Sequence, residues 1–64
     1  MKVNGTNIFL GGNQSLLDFL EAQSYDIRLI AVERNGQIIP RSTYKDVMLK
    51  DEDTLEIVSF VGGG

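Results

Sequence analysis

The sequence predicts an α+β domain in which one helix covers one sheet, and three observations carry that prediction. Two Asn-Gly pairs, Asn4-Gly5 and Asn35-Gly36, each separate two strand-like runs. One stretch, Leu16 to Gln23, sets apolar residues at helical spacing behind a capping serine. The last run, Thr54 to Val61, alternates apolar and polar side chains and leads directly into three glycines.

Along Met1 to Asn4, Met1 and Val3 fall on one side and Lys2 and Asn4 on the other, the period-two pattern of a strand with one buried face. Asn4-Gly5 reads as a hairpin turn because both residue types accept the positive φ of a type I′ turn. Thr6 to Leu10 is the return strand, with Ile8 and Leu10 on one face and Phe9 on the other. Gly11-Gly12-Asn13 breaks the alternation. Ser15, with Asp18 three residues on, has the spacing of a capping box. Leu16, Phe19, Leu20 and Gln23 then form one helical stripe, with Leu17 at its edge.

Leu29 to Arg34 predicts a third strand, turned by Asn35-Gly36 into a short strand over Gln37 to Ile39 that stops at Pro40, a residue with no amide to donate. Arg41 to Met48 is a polar connection with a helical turn near Ser42, pinned to the core by Tyr44, Val47 and Leu49. In the last strand Leu55 and Ile57 point one way and Thr54, Glu56, Val58 and Phe60 the other. The ionised Glu56 marks the second side as solvent-facing, so Val58 and Phe60 are expected to lie exposed beside the tail, aligned as a docking patch.

Sixty-four residues make one small domain, 1–64, with 42% hydrophobic and 23% charged residues, the composition of an ordinary globular fold. The absence of cysteine excludes disulfides and thiolate chemistry, and the absence of histidine removes the usual neutral-pH base and metal ligand. No catalytic or metal-ligating residue is assigned, and the chain is not expected to be an enzyme. Six basic against nine acidic residues, a net charge of −3, give no footprint for nucleic acid or anionic lipid. Asp46, Asp51, Glu52, Asp53 and Glu56 crowd the last third and would steer a basic partner there, although a solvated acidic loop has the same composition. The longest apolar run, Leu29 to Val32, is far too short for a membrane span, and the sequence opens as a strand instead of a signal, so a cytoplasmic location is expected.

The end of the sequence is where chemistry is expected. Gly62, Gly63 and Gly64 are expected to form a flexible tail, 62–64, without side chains, and three extended glycines reach roughly 10 Å. A bare strand of that kind fits a partner's narrow channel and brings the Gly64 carboxylate into it; frayed termini also end in glycine. Gly11-Gly12 before a short helix reads as a turn and not as a phosphate cradle. Asp51 and Asp53 read as a solvated turn and not as a metal or acid–base pair.

Several segments together resemble a known group: Met1-Lys2-Val3-Asn4-Gly5, Ser15 to Leu20, Ala31-Val32-Glu33-Arg34-Asn35-Gly36, Ile39-Pro40-Arg41, Leu49-Lys50-Asp51 and Leu55 to Gly64. In order, spacing and length they look like the ThiS-type sulfur carriers of thiamine biosynthesis, over the whole chain. The resemblance implies a ubiquitin-like β-grasp fold, one helix packed on a mixed four- to five-stranded sheet, with the first and last strands adjacent and parallel at its centre. It implies that the Gly64 carboxylate is adenylated by an E1-like enzyme of the ThiF type, converted to a thiocarboxylate by a sulfur donor system, and used by a thiazole synthase of the ThiG type. ATP and magnesium would belong to the activating partner, which agrees with the lack of a Gly-x-x-x-x-Gly-Lys-Ser/Thr motif here.

One departure is visible. Asp51-Glu52-Asp53 stands where the family pattern has Asp-Gly-Asp, and Glu52 tolerates a positive φ poorly, so a different turn or a strained one is expected. Two other readings share the fold: a sulfur carrier serving molybdopterin or an amino acid, and a ubiquitin-like interaction module or protein modifier.

Overall fold

The computed structural model describes residues 1–60. Among these residues five strands form one sheet: β1 (Lys2–Val3), β2 (Thr6–Asn7), β3 (Ile30–Arg34), β4 (Gln37–Ile38) and β5 (Thr54–Ser59), in the order β2-β1-β5-β3-β4. β1 and β5 are parallel at the centre and the other pairs are antiparallel, so the sheet is mixed. Among the described residues a single α-helix, α1 (Leu16–Ala22), buries Leu16, Phe19 and Leu20 against it. Sequence and structure therefore agree on an α+β architecture with one helix on a five-stranded sheet.

Both hairpins turn as their Asn-Gly pairs predict, with Asn4 at φ 50°, Gly5 at 84°, Asn35 at 53° and Gly36 at 84°. Each turn asparagine also reaches sideways to β5. The Asn4 backbone amide donates to the Leu55 carbonyl at 2.9 Å, and its side-chain amide holds Ile57. The Asn35 amide donates to the Thr54 carbonyl at 2.8 Å while its Oδ1 accepts from the Thr54 N–H at 2.9 Å. The central strand is thus gripped from both neighbours by the residues that turn them.

The α1 N-terminus is capped by Ser15, whose Oγ accepts from the Asp18 amide at 3.0 Å. At the other end Ser24 adopts φ 66°, its amide donates to the Glu21 carbonyl and the Tyr25 amide donates to the Leu20 carbonyl, both at 3.0 Å. These two bonds are the Schellman pattern, with serine where glycine is usual. The core gathers Val3, Ile30, Val32, Leu55 and Ile57 from the sheet with Leu16, Phe19 and Leu20 from α1, and Tyr44 and Leu49 close it from the long connection. Leu16, Leu20, Leu55 and Val32 are fully buried, each worth roughly 1.5–3 kcal/mol.

Several boundaries differ from the sequence reading. β2 is Thr6–Asn7 and not Thr6 to Leu10, because after the mutual bonds of Met1 and Ile8 (2.7 and 3.1 Å) the chain turns through Gly11 and Gly12. β3 begins at Ile30, since Ile27–Leu29 form a 3₁₀ turn capped by Asp26, whose Oδ1 accepts from the Arg28 amide at 3.1 Å. A second 3₁₀ turn at Arg41–Thr43 lies where a helical turn was expected.

Asp53 is the clearest correction. Asp51 is exposed as a solvated turn requires, but Asp53 is buried, 3% exposed, and accepts from Arg34 Nε at 3.0 Å, Asn35 Nδ2 at 3.1 Å and the Lys50 amide at 2.9 Å. Glu52 is not among the residues of positive φ, so the Asp51-Asp53 turn carries no left-handed strain.

Candidate docking face and modification site

Because β5 alternates, everything on one side of it is core and everything on the other is open. Leu55 and Ile57 are 0% and 7% exposed, whereas Val58 and Phe60 are 59% and 60% exposed. The two docking residues expected from sequence therefore lie together on the sheet face that α1 does not cover. Register adds to them. Val58 pairs with Ala31, Glu56 with Glu33, and Glu33 with Ile38, so all of these share the open face.

Ile38 is 64% exposed, and Leu29, whose carbonyl accepts from the Phe60 amide at 2.7 Å, is 38% exposed. Neither was singled out from the sequence as part of the patch. Their signal was the hairpin register: Asn35-Gly36 fixes Ile38 opposite Glu33 and so on the solvent side.

The end of β5 is braced on both flanks. On the β1 side, Asn4 Oδ1 accepts from the Ile57 amide at 2.7 Å and Asn4 Nδ2 donates to the Ile57 carbonyl at 3.2 Å. On the β3 side, the segment facing Phe60 is fixed by Arg41, whose Nε donates to the Ile27 carbonyl at 2.8 Å and whose Nη2 donates to the carbonyls of Arg28 and Ile30, each at 3.4 Å. The end of β5 that presents Val58, with Phe60 just beyond it, is thus held by hydrogen bonds on both flanks. Gly62 and Gly63, expected to thread a partner's channel, and Gly64, expected to be modified, lie outside the described residues.

At the start of β5, about 17 Å from its end, an open cleft of about 260 Å³ is lined by Met1, Lys2 and Asn7 and by the 51–54 segment, Asp53 included. It is polar and shallow, and among the described residues no group of three or more His, Cys, Asp or Glu is placed to hold a metal ion. Nearby, burial pushes the Asp53 carboxyl up, but the bonds from Lys50, Asn35 and Arg34 outweigh it and hold the group below the usual carboxylate range. The arrangement ties the 50–53 turn to β3 and has no exposed face for a substrate. Among the described residues, no helix is long and apolar enough to cross a membrane.

The ThiS family model matches residues 1–64. A sulfur carrier protein ThiS from Bacillus subtilis is 35% identical over 65 residues, covering 100% of this chain and 98% of its own. A thiazole synthase from Paramagnetospirillum magneticum is 40% identical over 62 residues, which is 97% of this chain but 19% of that protein, so the chain spans about a fifth of that relative's length. The crystal structure of the thiamine biosynthesis protein ThiS from Geobacter metallireducens superposes with a TM-score of 0.81 at 29% identity, covering 98% of this chain and 96% of that one.

Proposed function

Since the chain belongs to the ThiS family, we propose that it carries sulfur for thiamine biosynthesis on the carboxylate of Gly64. The observation that supports this most is the correspondence with a sulfur carrier over 100% of this chain and 98% of that protein. The similarity to part of a thiazole synthase favours thiazole formation as the destination, over molybdopterin or an amino acid.

A carboxylate is a poor acyl donor because oxide would have to leave. A ThiF-type E1-like enzyme, using its own ATP and magnesium, joins the Gly64 carboxylate to AMP and releases pyrophosphate. Sulfide from the donor system attacks the carbonyl, AMP leaves and the sulfur gives up its proton; with a persulfide donor a thiol must also reduce the acyl disulfide first formed. The resulting thiocarboxylate carries its sulfur to a ThiG-type thiazole synthase. Gly62 and Gly63 serve by having no side chain in the partner's channel. The platform of Val58 and Phe60 seats the activating enzyme next to the tail. In this reading the chain is a co-substrate, consumed and regenerated, and not a catalyst.

Pyrophosphate release by a ThiF-type enzyme tests the proposal. It is expected to depend on the chain and to vanish when Gly64 is deleted; release that is indifferent to the deletion would contradict it.

A further inference from the structure

At the centre of the open sheet face, Glu33 and Glu56 are direct cross-strand partners on β3 and β5. Like charges placed opposite one another destabilise a sheet. Cations are at hand but are engaged or out of register. Arg34 is the next residue on β3, yet it points to the other side and binds Asp53, and Arg28 pairs with Asp26. Lys2 shares the open face but partners Thr54. Among the described residues neither glutamate takes part in an ion pair. Ala31 and Val58 lie one step along the strands from the two carboxylates, with Phe60 beyond, and Ile38 of β4 lies beside Glu33, while Thr54 and Lys2 stand on the side of Glu56 towards the start of β5.

Two unopposed carboxylates flanked by Ala31, Val58 and Ile38 form one half of a charge-complementary interface. We infer that this face receives a protein surface presenting an arginine or lysine, which enters between Glu33 and Glu56 while apolar neighbours cover Val58, Phe60 and Ile38. Seating the cation there removes the repulsion that the isolated chain tolerates and excludes water from the new pair, the setting in which an interfacial charge pair contributes most. The pair also fixes orientation, because a docking patch of apolar side chains alone has little directional preference. Val58 lies two residues beyond Glu56, so a partner oriented by the glutamates is oriented with respect to the tail.

The inference rests on the reading that an activating enzyme takes up the C-terminus, and it commits to that enzyme as the occupant. The test compares the unaltered chain with Glu33→Gln, Glu56→Gln and the control Glu21→Gln, which makes the same charge change on α1 at the opposite side of the sheet. Steady-state activation by a ThiF-type enzyme is measured at low and high salt, together with the thermal midpoint of each free chain. Glu33→Gln and Glu56→Gln are expected to raise the KM for the carrier roughly tenfold with kcat nearly unchanged. Their thermal midpoints are expected to equal or exceed that of the parent, and the Glu21→Gln chain to keep the parent's KM.

An unchanged KM for both variants, an equal rise for Glu21→Gln, or a clear loss of thermal stability in the face variants would overturn the inference. Failure of the unaltered chain to be activated by an enzyme active on another carrier would sink the sulfur-carrier reading, and this inference with it. Activation of the parent with indifferent face variants sinks the inference alone.

Discussion

The side-chain amide of Asn4 replaces a peptide group for Ile57, accepting from its N–H at 2.7 Å and donating to its carbonyl at 3.2 Å. The chain leaves β1 at Asn4, so the parallel ladder with β5 would stop there, and the carboxamide extends it by one residue. Aspartate would lack the donor and glycine would lack both groups.

Asn4→Gly is expected to keep the left-handed turn, which glycine accepts, and to lose about 1–2 kcal/mol through the two missing bonds. Chemical denaturation measures the loss, and amide exchange at Ile57 locates it. Unchanged exchange at Ile57 would show that the side chain contributes nothing to holding β5.

Asp53 makes acid stability predictable in sign. Its carboxyl is depressed in the fold, so its contribution is complete above the unfolded value of about 3.9 and is lost as pH falls through the lower folded value. Asp53→Asn should therefore be less stable than the parent near neutrality, with the difference shrinking below about pH 4. Denaturation curves at pH 7 and pH 2.5 check this. Asp26, held at about 2 by its bonds from the Arg28 side chain and backbone, stays in both proteins and adds the same acid slope to each. A gap independent of pH would contradict the assignment.

Ser24 sits at φ 66° in the helix-terminating motif, a conformation that costs an L-residue roughly 1–2 kcal/mol. Ser24→Gly is expected to stabilise the domain by up to about 1 kcal/mol, part of the relief being offset by glycine's greater freedom when unfolded. A lowered thermal midpoint would show that the serine makes a compensating interaction.

Val58 and Phe60 lie outside the core and are mostly exposed, so replacing both with serine should change stability by about 1 kcal/mol or less. Activation by a ThiF-type enzyme should nevertheless fall, with the loss appearing in KM. Full activity of the double variant would remove these residues from the docking face.

The readable part of this fold was whatever local chemistry determines. Asn-Gly twice demanded hairpins, Ser15 and Asp18 marked a helix start, and the alternation from Thr54 to Phe60 separated core from open face. Asp53 was misread because its burial depends on Arg34 and Asn35, distant in sequence and brought alongside only by the β3–β5 register. The 3₁₀ turn at Ile27–Leu29 was hidden by its apolar composition, which is that of a strand, although Asp26 is a serviceable cap. Ser24 gave no sign of its left-handed backbone, since helix ends of this type are read from glycine. Val58 and Phe60 were placed correctly from β5 alone, whereas Leu29 and Ile38 needed the pairing of three strands.

Gly63→Ala is expected to leave folding intact and to slow activation, because a methyl group must then pass the partner's channel beside the reacting carbonyl. Normal turnover of that variant would contradict the role assigned to the bare tail.

The most direct test of the carrier role is the intact mass of the chain before and after incubation with a ThiF-type enzyme, Mg-ATP and a sulfur source, alongside a version lacking Gly64. A shift matching the replacement of one oxygen by sulfur is expected, present in the full chain and absent from the truncation. No AMP adduct and no gain of sulfur, with the same enzyme active on another carrier, would contradict it.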